Sequence, residues 1–248
     1  MINNISVVII AKNAQETLQE TLESLVEFSE VILYLNNSSD DTPLIAQKFS
    51  NVKIIEGEFI GFGDTKNKAA SYASSDWIFS LDSDEVIPPH LLEELQHLTL
   101  DNPHRLYILK RDNYFLNKKI RYSGWGNDYL ARLYHKGHHT FNSNIVHEFI
   151  ETHSKTHTIR LTNSFKHNAV THVNQFLTKA MKYSDLAAKD KKTCSFLLVI
   201  AKAKFAFIKT YILQLGFLDG WRGFVIAISN FNAKFFRYTK RYINCKEK

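Results

Sequence analysis

Short apolar runs alternate with amphipathic stretches along the first hundred residues. Ser6–Ala11 (SVVIIA), Val31–Leu35 (VILYL), Val52–Ile55 and Trp77–Leu81 are rich in β-branched and aromatic residues. Runs this short and this apolar predict strands buried on both faces. Between the first two, Leu18, Leu22 and Leu25 recur at helical spacing, with Glu16, Glu20, Glu23 and Glu27 elsewhere on the helix. Leu44–Phe49 begins a second helix and Thr65–Ala73 lies near a third. Pro88 opens a fourth over Pro89–Leu98. This alternation predicts βαβ units on a parallel sheet. Right-handed crossovers then bring the polar loops 11–14, 36–42 and 82–85 to one sheet edge.

Residues 105–170 break the alternation. Leu106–Leu109, Arg132–Tyr134 and Thr158–Leu161 read as strands with no clear helices between them, which predicts a mixed sheet. The intervening loops carry Trp125, Asp128, His138, His139, His147 and Glu148. Helical spacing resumes over Phe176–Ala188. From Ser195 onward apolar, aromatic and basic residues interleave. There is no internal repeat and no low-complexity segment.

At 44% hydrophobic and 23% charged residues, the 248-residue chain has the apolar material for a full core. Met1–Ile5 carries no basic region and leads straight into a strand, so no signal peptide is expected. The longest uncharged stretch near the C-terminus, Gly223–Ala233, is shorter than the roughly 18–20 apolar residues of a membrane span. Charge is divided unevenly. Residues 176–248 hold 15 Lys/Arg against 4 Asp/Glu, and residues 1–175 hold 16 against 21. Two regions with different electrostatic roles follow. Cys194 and Cys245 lie far apart and fit no metal or disulfide framework, which predicts two free thiols in a reducing compartment.

The run Trp77–Leu81 ends abruptly in Asp82-Ser83-Asp84-Glu85. Carboxylates at the carboxyl end of a central strand stand where open α/β sheets bind ligands. Two of them two residues apart can hold a hard divalent cation, with phosphate oxygens completing its shell. Asp-x-Asp alone recurs by chance, and the plainer reading is a solvated turn with Glu85 at a helix start. Strand context and the converging loops favour a metal–nucleotide site. Gly61-Phe62-Gly63 is not a dinucleotide fingerprint, because the third glycine is missing.

Taken in order, Ser6–Asn13 (SVVIIAKN), Asn36–Thr42 (NNSSDDT), Lys66-Asn67-Lys68-Ala69-Ala70 and Asp76–Glu85 (DWIFSLDSDE) resemble the family 2 glycosyltransferases of GT-A fold. Three further motifs are similar to the lipopolysaccharide-core β-glucosyltransferase subgroup of the WaaE type. They are Gly124-Trp125-Gly126-Asn127-Asp128 with Arg132-Leu133, Val146-His147-Glu148, and Leu215–Gly220 followed by Gly223-Phe224. The resemblance spans nearly the whole chain. It implies a Rossmann-like, mainly parallel mixed sheet with helices on both faces over residues 1–175, and a basic helical extension over 176–248. It also implies inverting transfer of a hexose, glucose in that subgroup, from a UDP-sugar to a lipopolysaccharide-core or related glycolipid. Mg²⁺ or Mn²⁺ would assist, and the expected place is cytoplasmic, at the inner face of the cytoplasmic membrane.

The roles follow from the resemblance and the chemistry together. Charge grows on the leaving diphosphate, which a cation held by Asp84 would offset, with Asp82 nearer the ribose or sugar. Inversion needs a base on the acceptor side. Asp128 stands at the family's position for it, with Asn127 where the wider family has Glu. The plainer reading of Asp128 is an i,i+4 pair with Arg132 worth roughly a few tenths of a kcal/mol. The Val-His-Glu match assigns His147 to the metal or diphosphate site; Glu148 joins it, anchors the acceptor or orients His147. Trp125 and Arg132 belong to the acceptor side. Asn13 is a nucleotide contact, and Asn36 or Asn37 bonds a base edge; Leu35 stands where many relatives carry Asp. Lys66 meets a phosphate or lies on a solvated helix face.

The basic tail admits three readings: helices packed on the catalytic domain, a surface for an anionic membrane, or a nucleic-acid surface. A lipid-borne acceptor favours the membrane, and no nucleic-acid motif supports the third. Other readings of the whole chain are the same fold acting on another glycan or protein glycan, a sugar nucleotidyltransferase, and a non-enzymatic binding module. Lys12-Asn13-Ala14 is not the Gly-rich basic loop a nucleotidyltransferase wants, and the three acids argue against a binding module.

Overall fold

The computed structural model describes residues 1–144, 148–176, 178 and 193–246. The chain divides into two compact units: residues 1–111 with 128–167, and residues 112–127 with 168–248.

The first unit is built on the apolar runs. β1 (Ile5–Ala11), β2 (Val31–Leu35), β3 (Val52–Glu56) and β4 (Trp77–Asp82) pair in parallel in the order β3-β2-β1-β4. Helices α1 (Leu18–Glu23), α2 (Thr42–Ala46) and α3 (Phe62–Ala70) make the crossovers. β5 (Glu85–Val86) and α4 (Pro89–Gln96) follow β4. Residues then turn antiparallel: β8 (Tyr129–His135) pairs with β4, and β6 (Arg105–Phe115) pairs with β8. The full order is β3-β2-β1-β4-β8-β6-β9-β5, where β9 is His157–Val170, with the two-residue β7 (Lys118–Lys119) on β6. β5 pairs antiparallel with β9, setting Glu85 opposite His167.

Strand periodicity assigns the two faces. Val7 and Ile9 of β1 join a core with Leu18, Leu22 and Leu25, Ala46, and Leu91 and Leu95 of α4. Val8 joins the opposite core with Ile32, Tyr34, Ile78, and Ala69 and Ala70 of α3. One sheet thus has helices on both faces, the expected GT-A-like architecture. The two-residue strands β5 and β7 are additions that no sequence period reveals. At the N-terminal end of β4, His135 and His138 ring centroids lie 5.1 Å apart, His138 and His104 4.5 Å apart, and His139 and His153 6.4 Å apart.

In the second unit, α5 (Phe196–Ile208) continues into a π-helical turn, Lys209–Leu213, then a 3₁₀ turn, Gly216–Asp219, and α6 (Trp221–Lys246). Asn230 Nδ2 donates to Thr210 Oγ1 at 2.9 Å. Cys194 and Cys245 form a disulfide with 5.4 Å between their Cα atoms. The two helices therefore run antiparallel as a hairpin pinned at its open end. The expectation of two free thiols is corrected: the chain fold brings together cysteines that lie 51 positions apart. Two glycines are obligatory here. A Cβ on Gly223 would sit 1.8 Å from the Gly216 carbonyl oxygen, and one on Gly126 would sit 1.8 Å from that of Arg121. Asp219 binds the 121–123 loop, accepting from Arg121 N at 3.0 Å and from Ser123 Oγ at 2.7 Å. The Leu215–Gly220 motif is thus a structural clasp. Among the described residues, no helix is long and apolar enough to cross a membrane.

Candidate active site

The carboxyl ends of the parallel strands meet as the loop lengths require. Ala14 N donates to Thr42 Oγ1 at 2.8 Å, and Ser39 N donates to Asn13 Oδ1 at 2.8 Å. These bonds lace the first two polar loops together. The third sits next to them, because Ile10 is in register with Asp82. Thr21 Oγ1 of α1 donates to the Ser83 carbonyl at 3.0 Å and steadies the acidic turn.

Around that turn, seven charged side chains alternate in sign. Glu148 Oε1 and Asp82 Oδ1 both bind Lys66 Nζ, at 3.0 and 2.9 Å. Asp82 Oδ2 binds Arg132 Nη2 at 2.8 Å, and Arg132 Nη2 binds Glu85 Oε1 at 2.5 Å. Glu85 Oε1 lies 3.4 Å from Arg111 Nη1, and Arg111 Nε donates to Asp128 Oδ2 at 2.8 Å. All seven belong to the first unit. The run joins Asp82, at the end of a central parallel strand, to Asp128, just before an antiparallel one.

The middle of this run is dry. Glu85 is fully buried, Lys66 is 3% exposed and Arg132 is 4% exposed. The Phe141 ring lies 5.3 Å from the Lys66 ammonium and the Phe165 ring 5.6 Å from the Arg132 guanidinium. Burial works against ionisation of Asp82, but the charges of Arg132 and Lys66 outweigh it and hold the carboxyl well below the usual range. Burial pushes Glu85 up, only partly offset by Arg132. Burial likewise opposes the charge on Arg132, and Asp82 and Glu85 overcome it and raise its pKa. Asp84 stands outside the run, with Oδ2 3.4 Å from His167 Nε2.

The plainer readings of Glu85, Arg132 and Lys66 change. Glu85 is a buried strand residue rather than a helix-start acid. Arg132 does not pair with Asp128 along a helix: both belong to a strand and its approach, and Arg132 turns to Asp82. Lys66 is not on a solvated face, because α3 buries it against Asp82. Trp125 lies in the second unit, its ring centroid 6.4 Å from that of Phe176. His147, and the Phe176–Ala188 helical stretch beyond its first residues, fall outside the described residues. Asn37 is exposed in the left-handed region, with φ 51°. Asn36 is buried, and its Oδ1 has no partner among the described residues; the same holds for Arg132 Nε. Sequence reasoning missed Arg111. Its one signal was the polar run Lys110-Arg111-Asp112 continuing the Leu106–Leu109 strand.

Among the described residues, no three His, Cys, Asp or Glu side chains converge to hold a metal by themselves. The donor set nevertheless fits a hard cation of the Mg²⁺ or Mn²⁺ kind. Such ions take one or two carboxylates and draw the remaining oxygens from water and a substrate's phosphates. Asp84, partly exposed on the turn, would supply one such oxygen donor.

A model described as glycosyl transferase family 2 matches residues 6–175. The chain belongs to glycosyl transferase family 2. Uncharacterised glycosyltransferases of Rickettsia prowazekii and Rickettsia conorii are each 28% identical to it. They align over 95% of this chain and over 86% and 89% of their own lengths, respectively. Among solved structures, S. aureus TarS 1–349 covers 99% of this chain and 92% of its own, at 14% identity and TM-score 0.47. Glucosyl-3-phosphoglycerate synthase from Mycobacterium tuberculosis covers 45% and 44%, at 24% identity and TM-score 0.35. Family 2 membership makes the protein a glycosyltransferase and sets aside the nucleotidyltransferase and binding-module readings. The matched segment contains every residue of the charged run.

Proposed function

We propose that this family 2 enzyme transfers a hexose, glucose by resemblance, from a UDP-sugar to a lipid-borne glycan of the lipopolysaccharide-core kind, inverting the anomeric carbon. The observation that carries the reading is the charged run from Asp82 to Asp128. It spans a donor-side acid at the end of β4 and an acceptor-side acid just before β8.

The donor lies over the carboxyl ends of β1, β2 and β4. Asn36 suits the base, because an amide offers a base edge both an acceptor and donors, and its buried Oδ1 has no partner among the described residues. Asn13 borders the same edge. Asp82 faces the ribose or sugar. A divalent cation held by Asp84, with Asp82 near it, would supply Lewis-acid relief to the leaving diphosphate. Asp128 takes the proton of the acceptor hydroxyl as that oxygen bonds the anomeric carbon and the bond to the diphosphate oxygen breaks. Arg111 keeps the Asp128 carboxylate turned for that transfer. The acceptor's lipid places the work at a membrane surface, the inner face of the cytoplasmic membrane by resemblance.

The test is a panel of UDP- and GDP-sugars with Mn²⁺, reading release of the nucleoside diphosphate with and without glycolipid. Turnover with UDP-glucose that Asp84→Ala abolishes, while the fold persists, supports the reading. Turnover unaffected by Asp84→Ala removes the metal role, and no turnover with any UDP-sugar removes the donor assignment.

A further inference from the structure

The α5–α6 hairpin carries features that sugar transfer does not use. Residues 196–246 contain nine Lys/Arg and a single acid, Asp219, whose carboxylate already binds the 121–123 loop. Between the helices is a cleft of about 390 Å³ lined by Phe207 and Ile208 of α5, Ile228 and Phe231 of α6, and Lys204. That volume falls in the range of small-molecule sites, roughly 300–1,000 Å³. Ile208 and Ile228 at its lip are 47% and 39% exposed. Further large apolar side chains on the hairpin, Phe205, Leu213, Phe217 and Phe224, are also exposed.

Of the residues lining the cleft only Lys204 is charged; further cations follow along the hairpin. Asn230–Thr210 and Cys194–Cys245 set the antiparallel register, so Lys234 of α6 falls opposite the α5 stretch between Lys202 and Lys209. Lys234, Arg237 and Arg241 recur at three and four residues on α6 and so share one face. Lys234 is half-buried, and burial together with Arg237, Arg241, Lys209 and Lys202 depresses its pKa. Like charges held this close repel, and an anion among them would relieve the repulsion.

We infer that the α5–α6 hairpin holds an anionic phospholipid of a bilayer surface, one acyl chain entering the Phe207–Ile208–Ile228–Phe231 cleft and the phosphate meeting Lys204 at its edge. An apolar slot edged by a lysine, on a hairpin with nine cations and one acid, matches an amphiphile with a charged head and a hydrocarbon tail. Neither a free phosphate nor a neutral hydrophobe uses both halves. The inference deepens the lipid-acceptor reading by naming the surface that docks the enzyme, but its chemistry stands on these residues alone.

The test is co-sedimentation of the full-length protein with vesicles of phosphatidylcholine alone or mixed with phosphatidylglycerol, without donor or acceptor. Failure of the transferase reading therefore leaves the result untouched. Binding is expected only to the anionic vesicles. Ile208→Ser with Ile228→Ser, both at exposed positions, should weaken it by about tenfold or more, since two isoleucines lose their burial in the chain. Lys204→Glu should weaken it independently, and inorganic phosphate should compete poorly. Binding lost in Lys204→Glu but kept in the isoleucine variant would reduce the surface to simple charge attraction and overturn the cleft. Equal binding to neutral vesicles would overturn the headgroup assignment. A dimer in solution that Ile228→Ser dissociates would make a second copy of the chain the occupant and overturn the inference.

Discussion

Arg111 donates from Nε to Asp128 Oδ2 at 2.8 Å, and its backbone N–H donates to the Asp128 carbonyl at the same distance. One residue of β6 thus fixes both the main chain and the carboxylate of the proposed base. Asp128→Asn should lower kcat by roughly 10²–10⁴, the usual contribution of a positioned base. Arg111→Gln keeps the carboxylate but releases its orientation. A drop of about 10²-fold, mostly in kcat, is expected, because small misplacements cost that much. Steady-state kinetics of the two variants separate the roles: an inactive Asp128→Asn beside a fully active Arg111→Gln would leave the base in place and remove the orienting role.

Arg132 is the buried cation between two acids. Arg132→Leu leaves Asp82 and Glu85 facing each other without it, and loss of one partner from a buried pair costs about 3–5 kcal/mol. Urea denaturation should show that loss. The double variant Arg132→Leu with Glu85→Leu removes one of the stranded charges and should recover part of it. No recovery would mean that Arg132 stabilises through something other than its charge.

The histidines at the N-terminal end of β4 give the fold an acid limit. Burial lowers the pKa of His104, His135 and His139 below the ordinary 6.5, and neighbouring histidines push the same way. Lys155 and His157 add to the effect at His104 and Lys136 at His135, where Asp76 opposes it. The folded state therefore favours neutral rings. Their contribution is complete above about pH 6.5 and is lost as pH falls from there through the lower folded values. Melting temperature against pH should decline below that point, and His138→Asn should flatten the decline. An equally steep decline in that variant would place the acid sensitivity elsewhere.

The disulfide closes a loop with a sequence separation of 51. Chain-entropy reasoning puts the stabilisation from a loop of this size near 4 kcal/mol. Cys194→Ser should lose about that much in denaturant titrations, and reductant should affect the natural protein but not the variant. Identical curves with and without reductant would show that the bond does not form.

How legible each feature was in the sequence depends on how far apart its partners lie along the chain. β1, β2 and β4 were readable because parallel strands buried on both faces keep nearly every residue apolar. β8 read short at Arg132–Tyr134, because Tyr129 is exposed and Leu130 and Ala131 only half-buried. Asp82 was visible as a strand-end acid, but its cations come from α3 and β8, and no local spacing announces Lys66 or Arg132 as its partners. Glu85 looked like a helix-start acid for the same reason. Its burial comes from pairing with a strand some eighty residues on, at His167. The cysteines were misjudged because their separation on the chain says nothing about a helical hairpin that folds back on itself.

The hairpin's pin has one more consequence. With Cys194 joined to Cys245, the backbone from one to the other is a closed covalent ring. A protease that cuts the exposed turns between α5 and α6 opens this ring without releasing a piece. The nicked molecule would keep its full mass on a non-reducing gel and part into two bands only when the sulfurs are separated.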